Sequence, residues 1–321
     1  MDPLSHRGPR LSALASLPSH VDVYEVGPRD GLQNEPKVIA TEEKALLVEA
    51  LVRSGQKRIE VTSFVSPKWI PQLADAERLL KRLPGTPGVI FSALVPNLKG
   101  LERARDAGLE EAAVFLSASE THSQRNINKS VGEALGVVKE VALAARSARM
   151  RVRGYLSTVW GCPYEGAVKV ERVVALCREL ADAGIYQVSL GDTIGVGTPR
   201  QTEIILDAVL QQLPPAQVAL HLHDTRGTAL ANALVGLSAG ITTLDASIGG
   251  LGGCPYAPGA AGNLATEDLV YMLHGMEVDT GIDLPALVEA GRLAQEIVGR
   301  KLPGKYLQAA LGERERGSQR L

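Results

Sequence analysis

Val21-Asp22-Val23-Tyr24-Glu25-Val26 runs directly into Gly27-Pro28-Arg29-Asp30-Gly31-Leu32-Gln33. The first six residues form a short apolar run closed by a Gly-Pro turn, which is how a buried strand reads. An open doubly wound sheet would follow its first strand with a glycine-rich phosphate loop. Here the charged pair Arg29-Asp30 stands where that loop has glycines. A closed barrel is the other way to bury a series of parallel strands, and it carries its chemistry at the strands' C-terminal ends. Arg29 and Asp30 occupy such an end.

Seven further apolar runs follow, giving strands over 21–26, 58–62, 89–94, 111–116, 151–156, 187–190, 217–221 and 243–248. Amphipathic stretches of helical period lie between them, at 41–54, 70–83, 131–148, 168–183, 198–213 and 229–239. Gly55, Gly108, Gly184 and Gly240 punctuate helix ends, and Thr41, followed by Glu43 and Lys44, offers an N-cap. Strand–helix alternation argues for parallel β-structure. Eight units in about 250 residues fit an α/β fold of the (β/α)8 TIM-barrel type. Two more helical stretches, 266–276 and 284–300, cover one end or side. The organisation read from this pattern is a flexible N-terminal extension over 1–20, a catalytic barrel with extra helices over 21–300, and a C-terminal tail over 301–321.

The composition is that of an ordinary globular protein: 321 residues, 45% hydrophobic, 22% charged, net charge −2. No basic stripe with interleaved aromatics is present, and aromatics make up only 4%, which argues against a nucleic-acid surface. No run is apolar for long enough to span a bilayer, and the first 20 residues lack the apolar core of a secretory signal. Three cysteines, Cys162, Cys177 and Cys254, do not make a disulfide framework. A reducing, cytoplasmic compartment is the expectation.

The strand ends are unusually polar. They carry Arg29-Asp30, Glu60 with Thr62-Ser63, Ser117 to Glu120, Thr158, Asp192-Thr193, and His221 with His223 and Asp224. Charges within apolar strands are costly unless paired or bound to a metal. His221 and His223, two apart on a strand, share a face and make a pair of metal ligands, or else a solvent-exposed pair at a loop entrance. Asp30 adds a hard oxygen and the amide of Asn263 a fourth donor. Two imidazoles with oxygen donors suit an octahedral divalent ion such as Mg²⁺ or Mn²⁺. Cys254 lies in the glycine-rich stretch Gly249-Gly250-Leu251-Gly252-Gly253-Cys254-Pro255-Tyr256, where a backbone can approach a substrate closely. It reads either as a functional thiol or as a small buried hydrophobe. Cys177, inside an apolar helix face, reads as core, and Cys162 is left open.

Seven of these stretches together resemble the 3-hydroxy-3-methylglutaryl-CoA lyases of the DRE-TIM metallolyase group. They are EVGPRDGLQNE (25–35), TSFVSPKW (62–69), PNLKG (96–100), GCPYEG (161–166), SLGDTIGVGTP (189–199), GLGGCPY (250–256) and GNLATEDLVY (262–271). The resemblance extends from about residue 21 to 300. It implies divalent-metal-dependent cleavage of the acyl-CoA to acetyl-CoA and acetoacetate, in leucine breakdown and ketone-body formation, by a homodimer. It implies metal ligation by Asp30, His221, His223 and Asn263. It also implies a substrate-facing Arg29, a catalytic Cys254, and contributions from Glu60 and Asp192.

That chemistry agrees with the residues. A divalent ion lowers the pKa of the substrate's 3-hydroxyl, and a nearby carboxylate, most simply Asp30, accepts its proton. Arg29 stabilises the enolate oxygen, and Cys254 returns a proton to carbon. Some positions depart from the family pattern. Pro36-Lys37 follows Glu35 where relatives carry a lysine, and Thr121 to Arg125 is poor in lysine. Trp160 adds bulk before Gly161, either lining the acyl pocket or packing. The alternatives are a longer branched 3-hydroxyglutaryl-CoA as substrate, a condensing relative, and a barrel with a degenerate site that only binds.

Overall fold

Eight parallel strands pair in strict sequence order and close on themselves. They are β1 (Asp22–Glu25), β2 (Arg58–Ser63), β3 (Ile90–Leu94), β4 (Glu111–Ser117), β5 (Arg151–Ser157), β6 (Gln187–Asp192), β7 (Val218–Leu222) and β8 (Thr243–Ala246). Closure is made by β1 on β8, in a register running from Asp22↔Thr243 to Glu25↔Ala246. This computed structural model describes residues 17–83, 85–252 and 262–318. Every strand expected from the apolar runs is present, shifted by no more than two residues at an end.

Helices α1 (Thr41–Arg53), α2 (Ala76–Arg82), α3 (Leu98–Asp106), α4 (Glu120–Ile127), α5 (Val131–Ser147), α6 (Val170–Asp182), α7 (Pro199–Leu210) and α8 (Ala229–Ser238) lie in the connections. Helices α9 (Thr266–Gly275), α10 (Leu284–Val298) and α11 (Lys305–Ser318) follow the last strand. The main core fills the space between sheet and helices, as in Leu47, Leu51, Leu180, Leu220 and Leu287.

Several expectations are corrected. The stretch 70–83 is not one helix. A 3-10 turn, Pro71–Leu73, with Pro71 as its first residue, precedes α2, and Asp75, held by Thr41 and Lys44, separates the two. Thr41 is not the N-cap of α1. Ala40 holds that position, its amide donating to the Glu43 carboxylate at 3.1 Å, while the Thr41 hydroxyl donates to Asp75 at 2.7 Å. The buried Lys44 ammonium reaches the same Asp75 at 2.6 Å and ties α1 to the segment before α2. Within the expected tail, Lys305–Ser318 form a helix. Helix α11 packs Leu307 fully out of solvent, and the carboxylate of Asp268 accepts from the first amides of α11, those of Lys305 and Tyr306, at 3.1 and 2.6 Å. At the other end, Leu17 packs on the core, and Ser19 accepts from the Asp279 amide at 3.0 Å.

The barrel interior is partly polar. On the β3–β5 side, Leu94, Ala113 and Tyr155 form a small apolar cluster with Phe115 and Val65 against it. Two residues earlier on β5 than Tyr155, the fully buried Arg153 pairs with Asp245 through two hydrogen bonds, 3.1 and 2.5 Å, and with Gln187 at 3.1 Å. Its guanidinium also stacks 4.2 Å from the Tyr24 ring centroid. Tyr24 in turn donates to Glu111 at 2.7 Å.

Candidate metal centre and active site

Strand β7 alternates Val218, Leu220 and Leu222 towards the helices with His221 towards the interior, and His223 follows on the same side. The exit of β1 is a tight π-helical turn, Gly27–Gly31, which sets Arg29 and Asp30 side by side. These elements meet because β1, β8 and β7 are neighbours in the closed sheet. Asp30, His221 and His223 each offer a ligand atom, all within 4.8 Å of one another. Asn263 joins through a bridge to His223, and its Nδ2 donates to Asp30 Oδ2 at 2.8 Å and to the Leu251 carbonyl at 3.1 Å. That leaves Asn263 Oδ1 buried without a hydrogen bond, as are both ring nitrogens of His223. Buried polar atoms are rarely left so.

The electrostatics fit a cation. Burial would raise the Asp30 carboxyl, but Arg29, His221 and His223 outweigh it and hold it down at about 2. Burial and the neighbouring His221 push His223 down to about 4, against the pull of Asp30, so its imidazole is neutral and able to ligate. His221 turns Nδ1 to Asp245 at 3.3 Å and Nε2 towards Asp30 at 3.8 Å. A ligating histidine commonly donates its second N–H to a carboxylate in this way, which fixes the ring and its tautomer. The residues present therefore fit a divalent ion.

Beside this cluster, Arg29 donates to Asp30 Oδ1 at 2.7 Å and, through Nε, to Glu60. The Tyr155 hydroxyl donates to the other oxygen of Glu60. Strand β2 carries a register shift just after Glu60, between Glu60 and Thr62. Gln33 adds a donor to Asp30 at 3.2 Å.

Among the residues expected at the site, Arg29, Asp30, Glu60, His221, His223 and Asn263 thus converge. No hydrogen bond among the described residues links Asp192 to them. Its two oxygens accept from the Val196 and Gly197 amides at 3.0 and 2.8 Å, bracing the loop after β6. Cys254 lies outside the described residues. Cys177 is core, its thiol pushed up to about 12 by burial. Cys162 is buried too, 3.0 Å from Ser119 Oγ. Trp160 packs, its indole donating to Thr202 at 3.0 Å. Lys37 turns away to the Ile297 carbonyl at 3.1 Å. Tyr155, Asp245 and Arg153 were missed because they sit inside strands. The signal was available: Arg153 and Tyr155 are two apart, hence on one face, in an otherwise apolar strand.

A family model described as HMGL-like matches residues 20–294. The chain belongs to the HMGL-like family. Within it, the chain is 53% identical over 291 residues to a hydroxymethylglutaryl-CoA lyase of Bacillus subtilis, covering 91% of this chain and 97% of that one. It is 47% identical over 305 residues to the human mitochondrial hydroxymethylglutaryl-CoA lyase, covering 95% and 94%. A further HMGL-like relative is the HMG-CoA lyase of Acinetobacter baumannii, whose structure was solved with coenzyme A and 3-methylmalate. It superposes with a TM-score of 0.87 at 38% identity, over 91% of this chain and 95% of that one. No helix among the described residues is long and apolar enough to cross a membrane.

Proposed function

We propose that the protein is a divalent-metal-dependent carbon–carbon lyase that cleaves 3-hydroxy-3-methylglutaryl-CoA to acetyl-CoA and acetoacetate, in leucine breakdown and ketone-body formation. The observation that carries this reading is the buried set of unpartnered donors at the mouth, His223 and Asn263 Oδ1, beside Asp30 and the Arg29–Glu60 pair. Asp30, His221, His223 and Asn263 would hold Mg²⁺ or Mn²⁺. Such an ion, when bound, acidifies and orients the substrate's tertiary hydroxyl.

The protein's own groups do the rest. Arg29, locked between Asp30 and Glu60, presents its guanidinium to the thioester oxygen, where charge develops as the C2–C3 bond breaks. Asp30 stays ionised down to about pH 2, which suits a ligand and makes it a weak proton acceptor. The neighbour able to take the hydroxyl proton is Glu60, buried and held by Tyr155, whereas His221, with Nδ1 on Asp245 and Nε2 facing the ion site, serves as ligand. Cys254 is assigned the return of a proton to the enolate carbon, and Asp192 the support of the β6 loop. A homodimer in a reducing, cytoplasmic compartment completes the proposal. Both described cysteines, Cys162 and Cys177, are free and buried, as such a compartment permits.

The test is acetoacetate release from 3-hydroxy-3-methylglutaryl-CoA after EDTA treatment, with Mg²⁺ or Mn²⁺ added back. Activity lost with EDTA and restored by either ion is expected. Undiminished activity without metal, or cleavage only of a longer branched acyl-CoA, contradicts the proposal.

A further inference from the structure

Asp224 follows the two histidines, and the chemistry above makes no use of it. It is nevertheless a junction. Its amide donates to the Gly262 carbonyl at 3.0 Å, next to Asn263. Its Oδ1 accepts from the Ala229 amide at the start of α8, at 3.1 Å, and its Oδ2 accepts from the Lys305 ammonium at 2.7 Å. Lys305 is the first residue of α11, far along the chain from either histidine.

The segment carrying Lys305 is firmly seated. Leu302 is buried against Gly249, where a Cβ would fall 2.5 Å from Leu302 Cδ1. Gly249 can sit there with φ at +61° because it has no side chain. The Gly304 amide donates to the Gly249 carbonyl at 2.8 Å, and Asp268 holds the next two amides. Residues 302–306 therefore lie as a strap across the exits of both β8 and β7. On the β7 side, the strap reaches the segment bearing His223 and Asn263 through one ion pair.

We propose that Lys305 is a positioning residue for the divalent-cation site, acting through Asp224 to fix the His223–Asn263 pairing. The inference rests on the cation-site reading above. Its physical content is a difference between two quantities. The Lys305 side chain is 70% exposed, so its ion pair contributes little to global stability. Metal affinity, by contrast, depends on ligand orientation, and losing a supporting partner commonly costs ~10–100-fold. A lysine acting only as a nearby positive charge would have the opposite effect, since removing it would favour cation binding.

Full-length protein is titrated with Mn²⁺, with free ion followed by EPR, and unfolding is followed thermally. Wild type should bind one ion and His223→Ala none. Lys305→Met should bind roughly tenfold more weakly, with its unfolding midpoint within about 2 °C of wild type. Lys305→Arg should restore most of the affinity. In an Asp224→Asn background, Lys305→Met should add nothing, because the coupling runs through that carboxylate. Unchanged or tighter binding by Lys305→Met, or additive effects in the double variant, overturns the proposal and leaves the cation site standing. Failure of wild type to bind Mn²⁺ in a His223-dependent way overturns both.

Discussion

Arg153 and His223 are both buried polar side chains at the same barrel, yet their surroundings are opposite. Arg153 has partners for all three guanidinium nitrogens, on Gln187 and Asp245, and aromatic rings beside it. No hydrogen bond of normal geometry reaches either ring nitrogen of His223, with the Thr193 backbone and the Asn263 side chain nearby. Both residues are removed from water, but only one is compensated within the protein. Satisfied polar groups in the interior hold the barrel together. The unsatisfied ones at the mouth hold open coordination positions at some cost to stability, as functional sites often do.

This contrast breaks most visibly at Arg153. Arg153→Met removes the guanidinium from the buried Asp245, leaving it only the Ser189 hydroxyl and the His221 ring, and unfolding in urea should show a loss of about 3–5 kcal/mol. A loss below 1 kcal/mol would mean the pair is not the brace its geometry suggests. The mouth should respond with the opposite sign. In metal-free protein, His223→Leu removes two unpartnered buried nitrogens and should stabilise by about 1–3 kcal/mol, while Mn²⁺ binding disappears. Destabilisation of the metal-free protein would show that His223 is satisfied after all.

The smallest effect concerns Glu267, whose carboxyl burial pushes up to about 8, with Glu25 and Asp268 adding to the rise and the bond from the Gly249 amide opposing it. In the unfolded chain a glutamate titrates near ~4.3. Between that value and about 8 the native state binds the extra proton, so raising the pH there destabilises the fold. Glu267→Gln cannot ionise. Its stability advantage over wild type should therefore widen from pH 7 to pH 8, by about 1 kcal/mol. Parallel pH profiles for the two proteins would contradict this.

Much of this was legible in the chain. The strands announced themselves as apolar runs, because a parallel barrel buries both faces of its sheet. Helix α3 is marked in the sequence only by Gly108 at its end and α4 by nothing, because LKGLERARD and ETHSQRNI bury only a few residues each and are mostly charged or polar. Helix α11 was read as a tail because its second half, GERERGS, is polar, although Leu307 in its first half is core. At the site, strand-end residues and Glu60 within β2 are legible, whereas Arg153, Tyr155 and Asp245 within their strands are not. Asp245 sits one position before the end of β8 and Arg153 four before the end of β5, in runs that look merely interrupted. Asp192 looked like its neighbours at the strand ends. Only the structure shows its oxygens already taken by the Val196 and Gly197 amides.

The central claim is that the unpartnered donors at the mouth are ligands. Crystals grown with Mn²⁺ and measured at the manganese absorption edge test it most directly. A single strong anomalous peak, bounded by Asp30, His221 Nε2, His223 and Asn263 Oδ1, is predicted. Manganese bound elsewhere, with these four residues untouched, would contradict it.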